Sequence, residues 1–234
     1  MNPMNKNTSS NELIQIEQSS FITKVYGWMC SALIITGLVS TWVANTPELI
    51  ELIFGNRFVF YGLLILELLG VIYLVTAIEK ISSQTATLLF FTYAAVNGLT
   101  FAVIFLRYTT ESIESTFYIT AGTFGVMSAY GYFTKKDLTT VGNIAIMGLI
   151  GLIIASVVNL FFQSEQLQWI TTYAGILIFV ALTAYDTQKI KKMNIIGNEG
   201  SEEDKKEAIM GALTLYLDFI NLFLKLLRVF GKKK

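Results

Sequence analysis

The sequence predicts an all-α membrane protein with seven transmembrane helices. The first observation is composition, because 53% of the 234 residues are hydrophobic and 15% are charged, whereas soluble domains carry about 25% charged residues. The second is a mean hydropathy of +0.57. The third is the length of the apolar runs, each of which suits a helix that crosses about 30 Å of hydrocarbon.

The predicted helices follow a polar start. Residues 1–22 predict a mostly disordered tail, and we expect no cleavable signal peptide because the first apolar run is long enough to span. We predict one transmembrane domain at residues 23–231, which includes a long, charged loop at 189–207. A basic tail follows at 232–234. The seven helices are predicted at 25–44, 58–78, 85–106, 116–133, 141–162, 169–188 and 208–230.

Basic residues are distributed unevenly between the two predicted sides. Ten lysines lie in the N-terminal tail and the loops on its side, and only Arg57 and Arg107 lie in the opposite loops. Cytoplasmic loops carry the excess of basic residues, so we expect a cytoplasmic N-terminus. Seven crossings then place the C-terminus outside, where the lysines at 232–234 break the rule. Either the last helix is buried, or it is re-entrant and returns to the cytoplasm.

One face of the last predicted helix is polar along its whole length. Its residues, spaced by four and three, are Glu207, Gly211, Thr214, Asp218, Asn221, Lys225 and Arg228. A lipid-facing carboxylate costs at least about 2.5 kcal/mol, so this face should contact other helices, which would surround the last one. The alternative is an amphipathic helix lying on the membrane surface.

Two acidic residues of the last two predicted helices can approach each other. Asp186 lies near the end of the sixth helix, and Asp218 lies in the same half of the membrane. Buried carboxyl groups in contact cannot both ionise comfortably, so they would share a proton and titrate as a unit. We interpret them as a pH-sensing, gating pair that could bind Ca²⁺ transiently. The alternatives are that Asp186 is an interfacial cap and that Asp218 pairs with Lys225.

Further polar residues lie inside the predicted helices. Glu67 is near the middle of the second helix, which contains no base, so it must be neutral or paired across helices. We take Glu67, Asn97, Arg107 and Asn221 as candidate ion-path or latch residues. For Glu67 the competing interpretation is a structural hydrogen bond.

The residue types limit the chemistry. The chain has no histidine and one cysteine, which excludes Ser-His-Asp hydrolases, HExxH metalloproteases and an intramolecular disulfide. The net charge is zero, so we expect no nucleic-acid partner. No paired nucleophile and base stand out, so we predict neither an enzyme nor a bound cofactor.

Four separated motifs resemble the bacterial branch of the Bax inhibitor family. They are NGLTF at 97–101, GYFTKKDL at 131–138, AYDTQKI at 184–190 and LYLDFINLF at 215–223. The resemblance covers roughly residues 20–230 and implies six helices surrounding a central C-terminal helix in the bacterial plasma membrane. It implies a pH-sensitive calcium leak, gated by an aspartate pair that matches Asp186 and Asp218.

The resemblance also implies an alternative function and a second contact. Some bacterial relatives are associated with a membrane-anchored AAA protease, so the chain could be a membrane interaction protein that modulates such a protease through its N-terminal tail. Family members pair a glutamate in the second helix with a base. Glu67 matches the acid, and Lys80 or Arg107 could be the base. The expected partners are the lipid bilayer, Ca²⁺, H⁺ and this candidate protease.

Overall fold

The regular structure is helical throughout the described part of the chain. The computed structural model describes the backbone of residues 3–234 and the side chains of Glu12 and of residues from 14 onward. Within these residues there is one isolated bridge and no strand. The eight helices are α1 (Pro3–Ala44), α2 (Pro47–Phe54), α3 (Arg57–Ala77), α4 (Ser83–Arg107), α5 (Thr110–Phe133), α6 (Thr139–Phe162), α7 (Glu165–Met193) and α8 (Glu202–Phe230).

Six of these helices are long and apolar enough to cross a membrane. They are α1 from Ile14, α3, α4, α6, α7 and α8, and they match six of the seven predicted segments. The remaining long helix, α5, has 24 residues, as many as α6. It is less apolar because Glu111, Glu114 and several threonines and glycines interrupt its sequence.

Local signals explain how the chain turns between α1 and α3. Pro47 begins α2, where its fixed φ suits a first turn and its missing N–H is not needed. Asn56 then caps α3, because its side-chain oxygen accepts a hydrogen bond from the Phe58 N–H at 2.9 Å. The short helix α2 therefore lies in a connection that the apolar pattern predicted only as a loop.

The N-terminal segment differs from the disordered tail predicted at 1–22. Helix α1 begins at Pro3, and the first two residues of the predicted tail lie outside the described part of the chain. Phe21 is 1% exposed, and the Glu17 carboxylate accepts a hydrogen bond from the Gly197 N–H at 2.7 Å. The prediction of a disordered tail was based on the polarity of residues 1–22 alone, whereas the structure shows a contact between Glu17 and a loop that is distant in sequence.

The charged loop is shorter than the predicted 189–207. Helix α7 continues to Met193 and α8 begins at Glu202, which leaves 194–201 between them. Two lysines lie in the last turn of α7 and three acids in the first turn of α8. These charges complement the helix dipoles, so the charged residues extend both helices.

The first of two compact units contains the chain up to Ala102 together with Ile190–Leu213. Helices α1 and α4 approach closely within it. The Ser40 hydroxyl donates to the Gly98 carbonyl at 2.9 Å. A Cβ on Gly98 would lie 2.7 Å from Val39 Cβ, so a small residue permits this backbone contact.

The second unit contains Val103–Lys189 and Thr214–Lys234. Helices α6, α7 and α8 share an apolar cluster in this unit, formed by Ala145, Phe179, Leu182, Leu222 and Leu226. Helix α5 packs on α7 at Gly131, where a Cβ would collide with the backbone of Ala184. This unit positions the two aspartates of the last two helices.

Candidate functional site

The second unit holds Asp186 of α7 and Asp218 of α8 in contact. Their carboxyl groups lie close enough to act on each other, and the two residues are only 8% and 5% exposed. Two carboxyl groups held together in a buried position cannot both ionise without repulsion. The two aspartates that the sequence analysis paired therefore meet in the fold.

One oxygen of this pair is left without a partner. Asp218 Oδ2 is buried and accepts no hydrogen bond from any described residue. Buried polar atoms are nearly always paired with protein or water. The carboxyl pair therefore retains an acceptor that a water molecule or a cation could contact.

Aromatic packing on α5 helps to fix the position of α8 around Asp218. The neighbouring Phe219 ring contacts Phe117 and Phe124 of α5, with centroid separations of 5.6 and 5.4 Å. On α7, Lys189 lies one turn after Asp186 and acts electrostatically on its carboxyl group. The aspartate contact thus joins α7 to a helix that also packs on α5.

The rest of the polar face of α8 does not neutralise Asp218. Within the described part of the chain no ion pair joins Asp218 to Lys225, so that alternative pairing is not formed. Asn221 donates within its own helix to the Leu217 carbonyl at 2.8 Å. Asn221 and Lys225, together with the predicted candidate Arg107, line a separate cavity of the second unit.

Glu67 has a hydroxyl partner in the first unit. The Thr100 hydroxyl donates to Glu67 Oε1 at 2.7 Å, which is the structural hydrogen bond weighed as an alternative for this residue. Asn97, one turn before Thr100, is 5% exposed and donates to the Tyr93 carbonyl at 3.1 Å. Among the described residues no ion pair joins Glu67 to Lys80.

Comparison with known families identifies the chain. The family model described as "Inhibitor of apoptosis-promoting Bax1" matches residues 18–234. The chain belongs to this family, the Bax inhibitor family. Membership and the six candidate spans together make it an integral membrane protein.

Three relatives of this Bax inhibitor family member cover nearly its full length. Inner membrane protein YbhL of Escherichia coli strain K12 is 50% identical over 216 residues, which are 92% of each chain. An uncharacterized protein of Borreliella burgdorferi is 44% identical over 93% of this chain and 94% of its own. Uncharacterized protein RP147 of Rickettsia prowazekii is 43% identical over 97% of this chain and 95% of its own. These names point to a membrane protein and not to a known enzyme.

The sequence analysis missed a polar face on α5. Its buried residues include Ser112, Thr116, Thr120 and Ser128. The hydroxyls of Thr116 and Ser128 are buried without a hydrogen-bond partner among the described residues. Their spacing of four residues is visible in the sequence, but uncharged hydroxyl groups are common in membrane helices and do not by themselves indicate a site. These hydroxyls add polar atoms to the interior of the unit that holds the aspartates.

The aspartate pair of this Bax inhibitor family member is not by itself a complete metal site. Among the described residues no group of three or more His, Cys, Asp or Glu side chains could hold a metal ion. Calcium takes six to eight oxygen ligands, so Asp186 and Asp218 alone are too few to complete its coordination shell.

Proposed function

We propose that the protein is a pH-sensitive calcium leak channel of the bacterial inner membrane, gated by Asp186 and Asp218. The observation that carries the proposal is that these two buried carboxyl groups, one from α7 and one from α8, lie within reach of each other. Intramembrane ionisable residues mark ion and proton pathways more often than structural contacts. The relative YbhL, named as an inner membrane protein, supports the location.

The proposed gate works through the shared proton. With one or both carboxyl groups protonated, a hydrogen-bond donor is present and the contact between α7 and α8 is retained. With both ionised, the donor is lost and two negative charges repel in a poorly screened interior. Deprotonation therefore separates the helices, and the flux rises with pH. The pair is a two-state element that local charge biases.

The proposed path passes polar atoms that lack protein partners. Asp218 Oδ2 and the hydroxyls of Thr116 and Ser128 are such atoms in the second unit. Once the aspartate contact opens, these groups can bind water and so support a hydrated cation. Two carboxylates favour a divalent hard cation over an anion.

The proposal includes seven crossings, with α8 surrounded by the other helices. Its support is burial, because 67% of the most apolar window of α8 is buried, compared with 6% for α3 and for α6. Helix α5 would be the seventh crossing, since its 24 residues exceed the roughly 20 that a span needs. The lysine excess on one side supports a cytoplasmic N-terminus.

The test is Ca²⁺ flux into liposomes that contain the purified protein, measured from pH 6 to pH 8. Flux should rise with pH in the wild type, and Asp186→Asn or Asp218→Asn should keep it low and independent of pH. Asparagine is nearly isosteric, and its amide donates at every pH. The matched control is Asp137→Asn, which changes an exposed aspartate at the start of α6.

Two results would contradict the proposal. The first is a wild-type flux whose pH dependence survives both substitutions. The second is the absence of flux in every folded sample, which would favour the alternative of an interaction protein that modulates a membrane-anchored protease.

A further inference from the structure

A cavity of about 460 Å³ lies in the second unit where candidate membrane spans end. Helix α4 ends there at Arg107, α7 begins there at Glu165, and the last turns of α8 form a third side. The C-terminal tail closes part of it, because Lys233 forms an antiparallel bridge with Tyr108.

The charge of this cavity is strongly positive. The cavity is lined by one acidic side chain, Glu165, and by four basic side chains, which are Arg107, Lys225, Arg228 and Lys233. Among the described residues, no ion pair joins any of these four cations to a carboxylate. Like charges crowded together destabilise a fold unless an anion joins them.

Helix-terminal electrostatics accounts for only part of the cluster. Arg107 and Arg228 lie in the last turns of α4 and α8, where cations complement the helix dipole. Lys225 lies about one turn before Arg228 in α8. Its aliphatic chain lies against α7, since a Cβ on Gly175 would come within 2.8 Å of Lys225 Cε. Lys233 belongs to no helix and is held at the cavity by its bridge to Tyr108.

The surroundings indicate the depth of a lipid headgroup. Trp169 lines the cavity and is 38% exposed, and its ring stacks on that of Tyr173 at a centroid separation of 5.8 Å. Trp and Tyr concentrate at membrane–water interfaces. Val103 and Leu224 add exposed apolar lining, which suits the glycerol and upper acyl region of a lipid better than a free inorganic ion.

We propose that this basic cavity binds the phosphate headgroup of an anionic phospholipid. Arginine and lysine bind phosphate through charge-assisted hydrogen bonds, and arginine can do so with two parallel bonds. Basic pockets between transmembrane helices take anionic headgroups in this way. A bound headgroup joins the ends of α4, α7 and α8, so it stabilises the second unit. This site does not depend on the aspartate pair being a gate.

The test uses the full-length protein in detergent micelles titrated with phosphatidylglycerol, with the thermal unfolding midpoint as the readout. Phosphatidylglycerol should raise the midpoint in a saturable way. Phosphatidylcholine, inorganic phosphate and glycerol 3-phosphate are the comparison ligands, and we expect none of them to match it. Each basic residue removed should weaken binding about fivefold, so Lys225→Gln with Arg228→Gln should weaken it about 25-fold.

Matched variants separate the site from general charge. Lys135→Gln with Lys136→Gln removes the same charge from a loop that does not line the cavity, and phosphatidylglycerol affinity should stay unchanged. Lys225→Arg should retain binding. Lys233→Gln in the exposed tail provides a second variant that leaves the helices unchanged, with an expected fivefold loss.

Three outcomes would overturn the proposal. One is an affinity for phosphatidylglycerol that the cavity substitutions leave unchanged. Another is an equal loss in the loop control. The third is binding of inorganic phosphate as strong as that of the lipid, which would assign the cavity to a soluble anion.

Discussion

The aspartate pair predicts that substitutions at its two positions are strongly non-additive. The test compares three variants, which are Asp186→Asn, Asp218→Asn and the double variant that carries both substitutions. The carboxyl groups lie close enough to act on each other, and we take a separation of about 4 Å for the two unit charges when both ionise. At an effective dielectric constant of about 20 their repulsion is about 4 kcal/mol.

This repulsion sets the size of the expected effect. About 4 kcal/mol changes a two-state equilibrium about a thousandfold. It can convert a closed state favoured about thirtyfold into an open state favoured about thirtyfold. Flux at alkaline pH should therefore exceed flux at acidic pH by about thirtyfold in the wild type, if the open population limits the flux.

Either single substitution removes the whole repulsion, because repulsion needs both charges. Each single variant should reduce alkaline flux about thirtyfold, and the double variant should reduce it by the same factor. Independent contributions would instead multiply to about 900-fold. The assay is Ca²⁺ flux into proteoliposomes at pH 8, with the amount of reconstituted protein measured for each sample. A multiplicative loss in the double variant would refute the reasoning that the two residues act as one pair.

Two further predictions concern structure away from the gate. Gly131→Ala should lower the stability of the protein by about 1–3 kcal/mol, because the new Cβ would collide with the α7 backbone. The control is Gly122→Ala, which has open space at its Cβ and should leave the stability unchanged. The measurement is the thermal unfolding midpoint, and equal midpoints for the two variants would contradict this packing. Hydrogen bonds from Ser20 and Lys24 lower the pKa of Glu199, so the contact is present above the ordinary glutamate pKa and is lost as pH falls through the lowered value. Limited proteolysis of the loop at 194–201 should therefore accelerate in acid, and Glu199→Gln should remove that dependence; an unchanged acid response in the variant would exclude Glu199 as its source.

The helices were largely predictable because their signals are local. Apolar runs of spanning length identified six helices that the structure bears out as candidate spans. Terminal residues were less predictable. Charged residues that look like loop sequence extend α7 and α8 because they complement helix dipoles. The helical conformation of α1 around Glu17 was not predictable, since the contact of Glu17 with Gly197 is not visible in the composition of the segment.

The candidate site was predictable in part. A carboxylate is costly in lipid wherever it lies, so Asp218 was identifiable from its place within an apolar run. The partner of Glu67 was not identifiable, because Thr100 is one of many hydroxyls and only the approach of α4 to α3 selects it. The basic cavity was also missed as a unit. Its cations come from two helices and a terminal tail that are far apart in sequence.

The sequence by itself determined that this is a helical membrane protein with intramembrane acids on its last helices. The reason is that burial of apolar runs and the cost of charge in hydrocarbon act on each segment separately. Only the tertiary structure decided which side chains meet. The approach of Asp186 to Asp218 depends on how α7 and α8 pack, and the clustering of four cations depends on where the ends of α4 and α8 and the C-terminal tail lie. Contacts between distant segments arise from close packing at positions such as Gly131 and Gly175, where the lack of a side chain lets neighbours approach.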